Sequence, residues 1–478
     1  MKSFSVSPSR TVGLLLVLCF AASVHCAVSD SLEIEVVDPN PALISATGGL
    51  MAADSPAAID LFSGDLPTRN GAIADGISLL LLRARTSNAV TFSLSPKLGT
   101  LRDTGGTAGD SNRVVAVPRV ASDGTHWVFV LFVPPNDLPG ASLNRSVNIS
   151  ARAETRRGSV SLRLENPPVV LVHGVWSSSS TWDGLNQFLG ERGFRICEEM
   201  DCAVNYGPVQ PAPSFDPAAD DPENQFAVNQ LIQATTNTLN ALRQEGLAAA
   251  QVDVVAHSLG GLLARSRAAL QSGERAYRRR ANFQRGDFHK LITVGTPHHG
   301  TPVAKFLITN RDVRSPFFEG ATLEEYLALT GRPFGSAIGQ MQTQSPALIN
   351  IGTTLGVPSH AIVGIAPANS WTEQLLDGLP SALGYFLSLD SLLGGNRNHD
   401  TLVPRLSQAG GLTGSAVTAL RGTVHADLDG RDAGETESRR IWRRIAQLLH
   451  APAESIRFGN FTELPTNGVV LFPAPIAE

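Results

Sequence analysis

The residues with the clearest capacity for chemistry are Val255-Ala256-His257-Ser258-Leu259-Gly260-Gly261. A β-rich run passes straight into a serine flanked by small residues, and then into a helical pattern through Leu262 and Leu263. So sharp a turn excludes large side chains at Ala256 and Gly260, and it lifts the Ser258 hydroxyl out over a helix N-terminus. This is a nucleophile elbow with alanine in place of its usual first glycine. A serine so placed attacks a carbonyl carbon, and the oxyanion that forms needs donors. The backbone N–H of Leu259 comes with the turn. A second donor is expected from Val172-His173-Gly174-Val175-Trp176, where Gly174 lets the chain turn inward and the Val175 N–H can face the cleft. His173 reads as a side chain fixing that loop rather than as a base. Ser177 to Ser180 and Trp182 read as a polar loop over the site.

Taken in order, Val172-His173-Gly174, Ala256-His257-Ser258-Leu259-Gly260 and Gly295-Thr296-Pro297-His298-His299-Gly300 resemble the motifs of bacterial triacylglycerol lipases and related esterases of the α/β-hydrolase fold. The resemblance covers about residues 167–450. In such enzymes the chain order is Ser, acid, His. It implies Asp400 as the acid, in the run Asn398-His399-Asp400-Thr401-Leu402-Val403-Pro404 where an acid precedes a hydrophobic pair. Asp377 and Asp390 are rivals inside the preceding insertion. It implies His425 as the base, just beyond Ala419 to Val424, which read as the last strand plus a short turn, ahead of His360, His399 and His450. The activity implied is hydrolysis of carboxylic esters through an acyl-enzyme, as a triacylglycerol lipase or carboxylesterase, on an acyl-ester or lipid substrate at or near a lipid–water interface. No cofactor is implied; some members carry a structural calcium, for which no ligand set stands out here. His298 and His299 are adjacent on one turn with no carboxylate spaced to complete a metal shell, so that turn reads as structural. The same triad serves acyl transfer or amide cleavage. A binding or adhesion protein with an inert second domain is a third reading, opposed by the full set of Ser, Asp, His and oxyanion loop.

The elements that must position these residues follow from pattern. Val169 to Val172 is apolar without alternation, as in a strand buried on both faces of a parallel sheet. Val228, Leu231, Ile232, Thr235, Leu239 and Leu242 share one face of a helix over 222–245. Strands are expected at 252–256, 291–294 and 361–364, and a closing helix at 441–449. Strand and helix in alternation predict an α/β domain with a mainly parallel sheet over 167–450. Residues 28–166 instead read as all-β, with alternation at Val147 to Ala151 and Val160 to Leu164 and a β-rich run from Trp127 to Val133. That pattern is similar to immunoglobulin-like sandwich modules. Asn166-Pro167-Pro168 links the two with no shared core expected, so residues 167–478 are expected to fold alone. The partner of the N-terminal module is not legible, and residues 451–478 form a Pro-rich tail.

A chain of 478 residues with 42% hydrophobic and 17% charged side chains has ample material for two or three cores. Its net charge of -5 argues against a nucleic-acid binder. Lys2 and Arg10 precede an apolar stretch from Val12 to Val24, too short to span a bilayer, followed by small residues. This predicts a signal peptide over 1–26, cut between Ala22 and Ala27, and a secreted or periplasmic protein. Cys197 and Cys202 then remain; a local disulfide and two thiols both fit the sequence. Finally, residues 367–397 carry a strongly apolar helical face through Leu375, Leu379, Leu383, Phe386 and Leu387. As a lid or acyl-binding wall above Ser258 it would favour medium or long acyl chains; as an ordinary cap it would be packing.

Overall fold

The computed structural model describes residues 31–463 except 40–42, 48–49, 105–110, 141, 198–202, 210–211, 219–225, 315–317, 319, 355, 367–397 and 427–433. The leader at 1–26, Cys202, the apolar segment at 367–397 with Asp377 and Asp390, and the tail beyond 463 lie outside the described residues.

The strand over Val169–Val172 heads a five-stranded sheet, followed in spatial order by Val252–His257, Phe288–Val294, Ser359–Ile365 and Val417–Arg421. Every pairing is parallel. Alternate residues of one strand belong to opposite cores, which is why the sequence shows an unbroken apolar run. Val170, Val172, Val254 and Ala256 pack beneath the helices Phe226–Gln244 and Leu259–Ala269. Val169, Leu171, Val255, Ile292 and Ile362 face Leu185 and Leu189 of the helix Asp183–Gly190 and Ile441, Ile445 and Leu448 of Arg439–Leu449. The last strand ends at Arg421 and a short turn follows, where Gly422 adopts φ 79° and its N–H closes on the Ile365 carbonyl at 2.8 Å.

The N-terminal residues build two facing sheets. Leu80, Leu82, Val128, Val130 and Phe132 from one meet Phe92, Val147, Ile149, Leu162 and Leu164 from the other in a single apolar core. Three features depart from the sequence reading. The unit is not all-β: Ser55 Oγ accepts from the Ala58 N–H, Pro56 opens the first turn, and the helix Pro56–Ser63 lays Ile59 and Phe62 on Leu81 and Phe129. The first sheet is thus buried on both faces, which explains the lack of alternation from Trp127 to Val133. Second, Gly71–Ile73 pairs parallel with Arg163–Glu165. Third, Leu247–Ala248, from the far side of the Asn166-Pro167-Pro168 link, pairs with Gly71–Ala72 and completes that sheet.

The two units therefore share a sheet and apolar contacts rather than a bare linker. Ile44 and Leu79 pack with Ala250 and Phe283. The buried Lys290 ammonium lies 2.7 Å from Asp137 and donates to the Leu449 carbonyl at 3.0 Å. His289 joins the Asn136 carbonyl to Asp253, at 2.8 Å each. The chain beyond 450 packs back: Ser359 and Gly459 exchange hydrogen bonds, and buried Phe461 stacks on His298.

Candidate active site

Ser258 sits between the strand Val252–His257 and the helix Leu259–Ala269 at φ 51° and ψ −124°. A side chain in that region of backbone space is strained by about 1–3 kcal/mol, which the surrounding packing must hold in place. The small residues around it are required by contact. A Cβ on Gly260 would stand 2.6 Å from the Val172 and His173 carbonyl oxygens, and one on Gly261 2.1 Å from Thr296 Oγ1. One on Gly174 would stand 2.9 Å from Ser258 Cβ, so the Gly174–Val175 loop lies directly against the serine.

His425 reaches Ser258 from the loop beyond the strand Val417–Arg421, and Asp400 reaches His425 from the segment after Ser359–Ile365. Ser258 Oγ–H donates to His425 Nε2 at 2.8 Å, and His425 Nδ1–H donates to Asp400 Oδ2 at 2.8 Å. A carboxylate only accepts, which fixes the proton on Nδ1 and leaves Nε2 free to receive one. The His425 backbone N–H also binds the Asp400 carbonyl at 2.7 Å. Asp400 Oδ1 accepts from the Leu402 and Val403 N–H groups at 2.9 and 2.7 Å, holding the carboxylate in one orientation. All three side chains are buried.

The loop from Val172 to Trp176 is anchored as a unit. His173 Nδ1–H donates to the Gly174 carbonyl at 2.8 Å, its Nε2 accepts from the Tyr206 N–H, and Tyr206 Oη–H donates to the His173 carbonyl. Both ring nitrogens are thus engaged, one within the loop and one by Tyr206. Burial lowers its pKa to about 4 and keeps the ring neutral. Trp176, at φ 56°, ties the loop's far end to the Pro333 carbonyl at 2.8 Å. Trp182 does not roof the site as the sequence suggests: it is fully buried, edge-on to His257. Ser177, Ser178, Ser180 and Thr181 do line an open, polar groove of about 450 Å³ beside Trp176.

The other histidines have separate work. His298 meets Thr293 Oγ1 at 3.0 Å under the ring of Phe461, and His299 faces the Thr462 carbonyl. His360 bridges the Arg457 carbonyl and Thr418 Oγ1 at 2.7 and 2.8 Å. His399 Nδ1 accepts from the Thr401 N–H at 3.1 Å, bracing the Asp400 turn, and His450 packs on Phe194. Cys197 is buried in the core beside Tyr206 and Val204.

Two residues at the site carry no role in the sequence reading. His257 Nε2–H donates to the His425 carbonyl at 3.1 Å, and burial and then the neighbouring His425 push its pKa well below the usual range, keeping it neutral. Glu435 lies fully buried against Asp400, His257 and His425. It belongs to the hydrophilic run Arg431-Asp-Ala-Gly-Glu-Thr-Glu-Ser438, which reads as an exposed loop, so no local signal separates it from Asp432 or Glu437. Among the described residues, His257, His425 and Glu435 are the grouping compact enough to hold an ion. Both ring nitrogens of His425 already serve Ser258 and Asp400, so we assign no metal there.

The model of the alpha/beta hydrolase family matches residues 169–470. No curated protein matches the chain. Among solved structures, phospholipase PlaB from Legionella pneumophila is similar at 14% identity and a TM-score of 0.38, over 60% of this chain and 60% of that one. Lipase BlEst2 from Bacillus licheniformis, in propeptide form, is similar at 17% identity and 0.32, over 53% and 44%. Naproxen esterase from Bacillus subtilis is similar at 11% and 0.29, over 64% and 88%. The chain thus spans less than two thirds of the first two.

Proposed function

This chain belongs to the alpha/beta hydrolase family, and from that premise we propose that it is a serine hydrolase of carboxylic esters, a lipase or carboxylesterase. The observation that carries the reading is the unbroken hydrogen-bond chain from Ser258 through His425 to Asp400, ending on a strained elbow at a sheet edge. Ser258 Oγ attacks the ester carbonyl carbon as its proton passes to His425 Nε2. Asp400 holds the imidazole in the productive tautomer and stabilises the imidazolium. The Leu259 and Val175 N–H groups receive the oxyanion. Collapse of the tetrahedral intermediate returns the Nε2 proton to the departing alcohol and leaves an acyl group on Ser258. Water then gives a proton to Nε2, attacks the acyl carbon and releases the acid, restoring the serine. The reaction as drawn uses no metal or cofactor.

The leader composition supports a cleaved signal over 1–26 and a secreted or periplasmic enzyme. The apolar face at 367–397 supports an acyl-binding wall and preference for medium or long chains, since each buried methylene adds about 0.8 kcal/mol. A p-nitrophenyl ester series from C2 to C16 tests both activity and preference. The expected result is kcat/KM rising from acetate to a maximum at longer chains, and loss of all of it in Ser258→Ala. Hydrolysis that survives Ser258→Ala overturns the proposal, and a maximum at acetate overturns the acyl-wall assignment alone.

A further inference from the structure

One carboxyl at the site takes no part in the reaction drawn above. Glu435 Oε2 lies 3.2 Å from His257 Nε2 and 3.4 Å from His425 Nδ1. The backbone is cut away to admit it: a Cβ on Gly295 would stand 1.7 Å from Glu435 Oε2, and one on Gly364 2.3 Å from Oε1 and 3.0 Å from Asp400 Cβ. Two strand ends of the parallel sheet thus give up their side chains so that two carboxyl groups can share one space.

Among the described residues, no donor meets either Glu435 oxygen in hydrogen-bond geometry; the neighbouring Gly364 N–H is given to Gln408 Oε1 at 2.8 Å. The His257 Nε2–H is directed to the His425 carbonyl and the His425 Nδ1–H to Asp400. An ionised Glu435 would be an acceptor without donors, out of water and beside a second carboxylate. A protonated Glu435 carries its own donor, and the Asp400 carboxyl group, beside it across Gly364, is the acceptor at hand. Burial first, then the Asp400 charge and the hydrogen bond to it, with a smaller push from Glu437, raise its pKa well above the carboxylate range. His257 faces it as a neutral ring.

We propose that Glu435 is a positioning residue: it donates a hydrogen bond to Asp400 and so keeps that carboxylate aimed at His425 without adding a second charge beside the imidazole. This rests on the Ser258–His425–Asp400 reading. The test is the pH profile of kcat/KM for wild type, Glu435→Gln and Glu435→Leu, each normalised to sites titrated by a fluorophosphonate. The acid limb reports His425 in the free enzyme. Glu435→Gln exchanges one neutral donor for another, so its acid limb stays in place, with kcat reduced by less than about tenfold and KM unchanged. Glu435→Leu removes the donor and lowers kcat roughly 10- to 100-fold. A Glu435→Gln limb displaced to lower pH by about a unit or more overturns the proposal, because removing a carboxylate 3.4 Å from Nδ1 would make the imidazole less basic. Equal kcat and profile in the Gln and Leu variants overturn it as well, reducing the residue to a space filler. Independently of turnover, the infrared difference spectrum of wild type minus Glu435→Gln at pH 7 should contain the carbonyl stretch of a protonated carboxylic acid; its absence overturns the proposal. Failure of the wild type to take up the fluorophosphonate counts against the triad, and the infrared band still decides the state of Glu435.

Discussion

Valine, leucine, isoleucine, phenylalanine and alanine fill the space between the two N-terminal sheets. The C-terminal edge of the parallel sheet is as well buried, yet it encloses His173, His257, His298, Asp400, His425 and Glu435. In the first region any side chain of suitable shape and volume serves, because the stabilising force is non-directional. In the second, His173, His257, His298, Asp400 and His425 each have a hydrogen-bond partner at a fixed distance, and removing one leaves another without its hydrogen bond in a dry interior. The difference teaches where this molecule is tolerant and where it is specific. It also locates its sensitivity to acid: the sole histidine of residues 31–166 is the exposed His126, whereas buried histidines crowd the parallel sheet.

The comparison breaks most severely at the junction. Deleting residues 1–166 removes the strand beside Leu247–Ala248, uncovers Ala250 and Phe283, and takes Asp137 from Lys290. The expected product is insoluble or unfolded. A soluble monomer of 167–478 with a full active-site titre would show that the shared sheet contributes little.

Acid should sharpen the contrast. Burial first of all lowers the pKa of His173, His299 and His360 to about 4 in the folded protein. The unfolded chain binds these protons nearer 6.5, so their contribution is complete above that pH and is lost as pH falls from about 6.5 through 4. Each accounts for about 3 kcal/mol at pH 4. Urea midpoints should drop steeply over this window, with amides of Leu291–Val294 losing hydrogen-exchange protection before those of Val147–Ala153. A midpoint constant from pH 7 to 4 would contradict the neutral, buried histidines.

The smallest effect belongs to the tolerant region. Ile149→Val, between the N-terminal sheets, should cost about 0.5–1.5 kcal/mol with kcat/KM per folded molecule unchanged. A loss of turnover at constant stability would mean that the two regions are coupled beyond their junction.

What was legible in the sequence followed the same division. The elbow at Ser258 and the unalternating run at Val169 to Val172 were readable because their local chemistry is distinctive, and Val147 to Ala151 because one face alone is buried. Asp400 and His425 needed the motif resemblance, since nothing in their own neighbourhoods aims them at Ser258. The helix Pro56–Ser63 had a readable start in Ser55-Pro56, overlooked among strand signals. Leu247–Ala248 had none: two residues too short for a pattern join a sheet whose other strands lie more than 80 residues upstream. Glu435 had none either, because its burial is created by Gly295 and Gly364 from distant strands.

The central claim is that His425 makes Ser258 a nucleophile, and covalent capture tests it most directly. Full-length enzyme is treated with a fluorophosphonate probe and the adduct is located by peptide mass spectrometry. The account predicts one adduct per chain, on Ser258, absent from Ser258→Ala and slowed by orders of magnitude in His425→Ala. An adduct on another serine, or no adduct on folded protein, would contradict it.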